Sequence, residues 1–380
     1  MRLAAARTLY TQTLRTKGKG RAPAPAPESP SPTPQPTPEP TPTPEPTPTP
    51  EPTPTPEPTP EPTPLPGTGP GWEGLGGGVF PTASWRPYAP TSPFNTLATG
   101  SPVSESAAMV SRILGWGSPA RGIIIGTGSE THDYGHPVYW AAASDPEYTL
   151  HFTKEGGNPL EGHKVKVPLG AKRAGGSDGH MAIIEPNGEE IDLWQAKEPR
   201  EGKLEATWGG GITSITGSGL GAKATASQFD LLAGVIRPEE LVAGQISHAL
   251  FVVVRHTKGF VYPATHGGSE GSEPGTPPMG AHLRLNITDA EIAALKVPPY
   301  KKAIATAMAR YGGYVGDTGG SGFAFGGQSE LGYTAFGLSD PLIAWAKKEG
   351  FPDGTGEWAG TYSFDMATGI PWNKLSVVTP

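Results

Sequence analysis

From Pro30 to Pro66 every even-numbered residue is proline. A backbone missing half its amide donors can build neither a helix nor a sheet ladder, and this one has almost no apolar side chains to bury. The tract from Ala22 to Pro66 is therefore expected to be a disordered stalk, extended and rich in polyproline II, whose spaced Glu residues resist collapse. At ~3.1 Å per residue, roughly 45 residues reach at most ~140 Å. PxxP segments also serve as ligands for aromatic grooves, but the expectation here is a spacer that holds a domain away from a wall or surface.

The stalk divides the chain. Residues 1–21 form a basic segment with Arg2, Arg7, Arg15, Lys17, Lys19 and Arg21 and no acid. A secretory signal needs an apolar stretch of about 7–15 residues after its positive start, whereas Leu3–Ala6 runs at once into Arg7 and Thr8. No signal peptide is recognisable, so the expectation is a start further upstream, the alternative being another export route. Residues 67–81 read as a Gly-rich flexible joint and residues 82–380 as one β-rich globular domain, long enough for a large core.

Composition narrows the class. The 380 residues hold no Cys, which removes disulfide scaffolds, thiolate metal sites and cysteine nucleophiles. No apolar run approaches the ~20 residues of a membrane span. A net charge of −7 argues against nucleic acid as a partner. The six Glu of the stalk offset the basic start, so the negative balance belongs to the globular domain. With 54 Gly, 46 Pro and 17% charged residues, a long helical bundle is excluded.

Within 82–380 the period is mostly two. A helix is expected near Val103–Leu114, with Ser101 as cap and Pro102 at its first position. Strands are expected at Gly122–Thr127, Pro137–Ala142, Tyr148–Thr153, Lys164–Val167, His180–Glu185, Glu190–Ala196, Leu204–Gly209, Ser247–His256, Phe260–Pro263, His282–Asn286, Tyr314–Asp317 and Phe323–Phe325. Short helices are expected at Pro238–Leu241, Thr288–Leu295, Tyr300–Tyr311 and Pro341–Gly350. The fold class is all-β, a β-sandwich or jelly-roll-like core with a few peripheral helices. Ser247–His256 is apolar on both faces and should be a central strand. Asn187-Gly188 signals a two-residue hairpin loop, which would pair Glu185 with Glu190, Ile183 with Asp192 and Met181 with Trp194.

That pairing gathers carboxylates beside an indole, the composition of a sugar site in which the ring packs on pyranose faces and the acids take hydroxyls or protons. Trp194, Trp208 and Tyr262 are the candidate sugar platform. Asp178-Gly179-His180 places a carboxylate two residues from an imidazole that it can orient as a base. His248 opens the central strand and is a second candidate base. Arg284 is a candidate clamp for a uronate carboxylate, and Asp192 completes the acid set. Each has a plain structural alternative: a solvated acidic face, an Asx turn, a histidine satisfied by a carbonyl.

Other motifs fail on context. Gly175–Gly179 matches GxSxG but leads into a strand rather than a helix. His132 and His136 stand four apart on a Gly loop, without the helix of HExxH. Loops rich in Asp, Glu and Gly offer oxygen ligands of the kind Ca2+ takes, yet none has an EF-hand pattern, so no metal or other cofactor is expected.

In order along the chain stand Ser92-Pro93-Phe94-Asn95-Thr96, Ser177-Asp178-Gly179-His180-Met181, Asp192-Leu193-Trp194, Trp208-Gly209-Gly210 and Thr225-Ala226-Ser227. Gly244-Gln245-Ile246-Ser247-His248-Ala249-Leu250, Tyr262-Pro263-Ala264, Pro278-Met279-Gly280-Ala281, Arg284-Leu285 and Tyr311-Gly312-Gly313-Tyr314-Val315-Gly316-Asp317 follow. In this the chain, over most of residues 84–380, resembles a family of exported proteins of soil actinobacteria, often Pro/Thr-stalked and without an established activity. The resemblance implies an extracellular or cell-wall-associated setting and one large domain, and supplies no catalytic residue. It singles out Asp178, His180, Trp194, Trp208, His248, Arg284 and Asp317. The absent leader departs from the family's usual start.

The sequence thus leads to a secreted or surface-displayed domain acting on polysaccharide or cell-wall glycan as a hydrolase or lyase. The rivals are a non-catalytic glycan-binding or adhesion module on a stalk, and a structural envelope or phage-particle protein.

Overall fold

A computed structural model describes residues 72–116, 123–125, 133–154, 156–320, 322–355 and 362–380. The chain divides into two units, Met1–Glu61 and Pro62–Pro380, and every described residue belongs to the second. The basic segment, the stalk and the first part of the expected joint lie outside the described residues.

Helix α1 (Ser106–Gly115) and strand β1 (Ile123–Ile125) precede a six-stranded sheet. Its strands are β2 (Val138–Trp140), β3 (Glu147–Phe152), β4 (Lys164–Lys166), β5 (Met181–Ile184), β6 (Glu189–Ala196) and β7 (Lys203–Ser214). They lie in the order β2-β5-β6-β7-β3-β4, with β2/β5 and β3/β7 parallel. After α2 (Pro238–Ala243) come β8 (Leu250–Val254), β9 (His282–Leu285), α3 (Asp289–Ala294), α4 (Pro299–Arg310), β10 (Gly313–Thr318) and β11 (Phe323–Phe325). Helices α5 (Leu331–Thr334) and α6 (Pro341–Lys348), then β12 (Tyr362–Phe364) and β13 (Leu375–Val378), complete the chain. The second sheet has the order β11-β8-β10-β9-β13, with β8/β10 parallel, and β1 pairs with β12.

The β-rich core is as the sequence predicts, but the helices are not all peripheral: α4 puts Ile304, Ala307 and Met308 into the larger core. The jelly-roll-like strand order is not as predicted: both large sheets are mixed. Parallel neighbours need crossover connections, and between β8 and β10 the chain makes β9 and the helices α3 and α4 before returning. Period-two patterning reports strands, not their order. Strand β8 lies inside the sheet, between β11 and β10, and is buried on both faces. Phe260–Pro263 forms no strand, only a bridge from Phe260 to Met279. Helix α1 begins at Ser106 because Pro102 bridges to Val378 and the Ser106 hydroxyl accepts from the Val377 amide at 2.8 Å.

One face of the six-stranded sheet, with Val138, Trp140, Ala182 and Ile184, shares the larger core with Leu250, Phe251, Val252 and Val315 of the second sheet. Its other face, with Tyr139, Met181, Ile183, Ile191 and Leu193, closes a smaller core with Leu150, Val165 and Leu331.

The β5–β6 hairpin corrects the expected register by one residue. Glu185 N–H donates to Glu189 O at 2.8 Å and Gly188 N–H to Glu185 O at 2.9 Å, so the loop has three residues, with Gly188 at φ 85°. Ala182 then faces Asp192 and Ile184 faces Glu190. A one-residue slip exchanges the facing partners of a whole strand. Glu190 and Asp192 are thereby turned into the larger core rather than gathered with Glu185 on an open face.

Candidate functional site

The ends of β2, β5, β6 and β7 bring a row of side chains to one margin of the six-stranded sheet. His136 precedes β2 and His180 precedes β5; parallel pairing sets their rings 4.8 Å apart, edge to face. Beside His180 lies Trp194 on β6, and Trp208 on β7 pairs with Trp194 across a bulge at Gly209. The Trp194 ring lies where a Cβ on Gly209, at φ 58°, would come within 3.5 Å of it. Trp194 is half-buried, and Trp208 is 41% exposed with the Lys154 ammonium 5.7 Å from its ring centre.

Both imidazoles are buried and neutral. His136 Nδ1 lies 2.6 Å from Leu231 O, so it carries the proton and donates. Burial and the neighbouring His180 push His136 down to about 3. Burial lowers His180 to about 4, partly opposed by its hydrogen bond to the Ala224 carbonyl. His180 Nδ1 is buried and has no hydrogen-bond partner. At neutral pH the His180 ring carries no charge.

The second sheet contributes Asp317 at the end of β10. The loop that binds His180 at Ala224 also donates its Ala226 amide to the Asp317 carboxylate, and the Ser227 amide donates to Gly316 O at 3.2 Å. Segment 224–227 thus ties the margin of one sheet to that of the other. Asp317 is half-buried, and desolvation, with the nearby Asp178 charge adding to it, pushes the carboxyl up to about 7. Asp178 is also half-buried, and its charge acts on His136 as well as on Asp317. Its carbonyl accepts from the Gln195 amide at 2.7 Å, next to Trp194. Asp178, Asp317, His136, His180 and Trp194 therefore form one group. Chemically it offers a carboxyl that changes charge near neutrality, a second carboxylate and an aromatic surface.

The remaining candidates lie elsewhere. His248 is buried on the second sheet's side, with Nε2 3.0 Å from Glu240 Oε1 and Nδ1 2.9 Å from Ala249 O, so both nitrogens serve the core. Asp192 is fully buried; its Oδ2 accepts from the Leu231 amide at 2.6 Å and its Oδ1 has no partner. Its carboxyl, with that of Glu190, is pushed up by burial and by its acidic neighbours. Arg284 sits on β9 opposite Ser376, half-buried, and its charge acts on His282. Tyr262 is 62% exposed, at a cis Tyr262–Pro263 bond. Among the described residues no hydrogen bond or ion pair joins His248 or Arg284 to the Asp178–Asp317 group.

No group of three or more His, Asp or Glu side chains is arranged to hold a metal ion among the described residues. No helix there is long and apolar enough to cross a membrane. No family model matches the chain, and no curated protein or solved structure matches it significantly.

Sequence reasoning read His136 only as half of a pair with His132, which lies outside the described residues. Its true partner, His180, is set by a parallel pairing that no local pattern announces.

Proposed function

We propose that this chain is a secreted or surface-displayed domain acting on polysaccharide as a glycoside hydrolase. Asp317 is the general acid, Asp178 the second carboxylate, and Trp194 with Trp208 the surface on which sugar rings stack. The observation that carries the reading is the Asp317 carboxyl held at about 7 beside the half-exposed Asp178. Glycoside hydrolysis needs one carboxyl protonated at working pH to give its proton to the leaving oxygen, and a second that is ionised on the reacting carbon or on water. Asp317, pushed up to about 7, meets the first need. The Pro-rich stalk, which suits display, supports the setting.

The test is mass spectrometry of soluble products after the whole chain is incubated with a panel of bacterial and plant polysaccharides. Products at the full hydrolytic mass are expected, with a rate that falls above about pH 7 as Asp317 loses its proton. Asp317→Asn should lower that rate by a factor of about 10²–10⁴, the usual worth of a general acid, with the thermal unfolding midpoint unchanged or raised. Undiminished turnover by Asp317→Asn overturns the assignment. Products about 18 Da lighter mean β-elimination and a lyase. No products together with retention on an insoluble glycan mean a binding module.

A further inference from the structure

A concavity of about 670 Å3 opens beside the smaller core, where segments 168–175 and 197–200 meet Tyr148 and Leu331. Its charge runs against that of the protein. Lys172, Arg173, Lys197 and Arg200 line it with a single carboxylate, Glu198, in a chain of net charge −7. Lys197 is held by Glu205 at 3.0 Å. Among the described residues no ion pair within 4.0 Å engages Lys172, Arg173 or Arg200. The Arg173 guanidinium is held in place, donating to Ala174 O at 2.8 Å and to Gly176 O at 3.3 Å.

The cleft also adjoins the candidate site. Arg173 Cδ lies 3.3 Å from where a Cβ on Gly179 would stand, and Gly175 belongs to the cleft's own lining. The loop carrying Asp178 therefore has the cations on one side and His180 at its end. A cleft lined by one sign of charge concentrates ligands of the other, and a guanidinium fork matches the paired oxygens of a carboxylate or phosphate.

We infer that this cleft binds the acidic groups of an anionic glycan and holds the polymer beside Asp178. The inference rests on the polysaccharide reading and names its substrate class. Carboxylates of a polyuronate and phosphodiesters of a wall polymer are two sources of the same oxyanion chemistry.

The experiment is affinity electrophoresis of the whole chain through gels containing polygalacturonate, wall teichoic acid or neutral dextran. Retardation is expected in one or both anionic gels and not in dextran. Retardation by polygalacturonate alone identifies the source as uronate, and by teichoic acid alone as phosphodiester. The double substitution Lys172→Gln/Arg200→Gln, with an unchanged melting temperature, should weaken that binding at least tenfold. Full affinity in the double variant overturns the inference and moves binding elsewhere, the six cations of residues 1–21 included. Equal retardation by dextran, or none in any gel, also overturns it. Hydrolysis of a neutral polymer without anionic binding removes this inference and leaves the hydrolase standing. Anionic binding lost in the double variant, with no polymer cleaved by the wild type, does the reverse.

Discussion

Glu240 and the Glu190–Asp192 pair are equally buried, all at 0% exposure, yet the fold treats them in opposite ways. Glu240 faces a guanidinium and an imidazole: Arg237 Nη2 at 2.8 Å and His248 Nε2 at 3.0 Å, with the Arg237 amide at 2.9 Å. These overcome its desolvation and hold it down at about 2. Glu190 and Asp192 have only neutral donors, the Tyr88 hydroxyl and the amides of Leu231 and Leu232, and a third acid, Asp230, beside them. Burial therefore pushes both up. Depth alone does not fix the charge of a carboxylate; what stands opposite it does. The first group is an ionic tie that fastens α2 to the start of β8 and, through Arg237, to the carbonyls of Thr82 and Trp85. The second is an acid cluster in the wall between the sheets, where burial favours the protonated forms.

Arg237→Ala should have the largest effect, because it turns the first group into the second. Removing one partner of a buried pair leaves the other charge uncompensated, at about 3–5 kcal/mol. Arg237 is 1% exposed and its guanidinium also lies 5.3 Å from the Trp85 ring centre. Urea unfolding at pH 7 should show a loss of that size. A loss below about 1 kcal/mol would mean that Glu240 takes up a proton at little expense, and the contrast would fail.

Asp230→Asn works on the other side. Asp230 is pushed from 3.8 up to about 7, so between those values the folded protein holds a proton that the unfolded chain has released. Stability from this group is full below about 3.8, declines as pH rises towards 7 and is level above. The amide side chain can keep the bonds now made to the Thr213 hydroxyl at 2.7 Å and the Ala222 amide at 3.2 Å. The variant should therefore gain on the wild type as pH rises from 4 to 7, by up to roughly 4 kcal/mol at the plateau. His136 and His180, depressed to about 3 and about 4, lose stability as pH falls below 6.5. They are common to both proteins and leave the difference untouched. A gain that does not change with pH would show that Asp230 is ionised throughout.

The contrast also shows what the sequence could convey. Strands were legible wherever alternation and turns agreed: β5, β6 and β8 lie where period two and the flanking Gly place them. The alternation of Glu190, Asp192 and Trp194 against Ile191 and Leu193 within β6 was legible too. The partner of each was not. A one-residue difference in the length of the 186–188 loop decides whether acids meet acids at the surface or enter the core, and Asn187-Gly188 fits both lengths. β12, β13 and α5, each three or four residues long, were missed. Of the site, Asp178, His180 and Trp194 were named from local sequence and Asp317 from resemblance. Their meeting depends on segment 224–227, which joins two sheets and carries no motif chemistry. His248 misled for a plain reason: an imidazole at the mouth of a buried strand looks the same in sequence whether a substrate or Glu240 faces it.

Tyr88→Phe should have the smallest effect and gives the finest reading of the buried acid cluster. The Tyr88 hydroxyl donates to Glu190 Oε2 at 2.8 Å, and the ring is 6% exposed, so the substitution removes one donor and little packing. A hydrogen bond to a neutral acceptor is worth about 1 kcal/mol net, and one to an ionised group about 1.5–3 kcal/mol. If Glu190 is protonated in the core, the loss should be about 1 kcal/mol and the same at pH 5 and pH 7. A loss near 3 kcal/mol at pH 7 that shrinks at pH 5 would mean that Glu190 is charged there and loses its charge on acidification. The two buried groups would then differ only in how well their charges are compensated, not in whether they are charged.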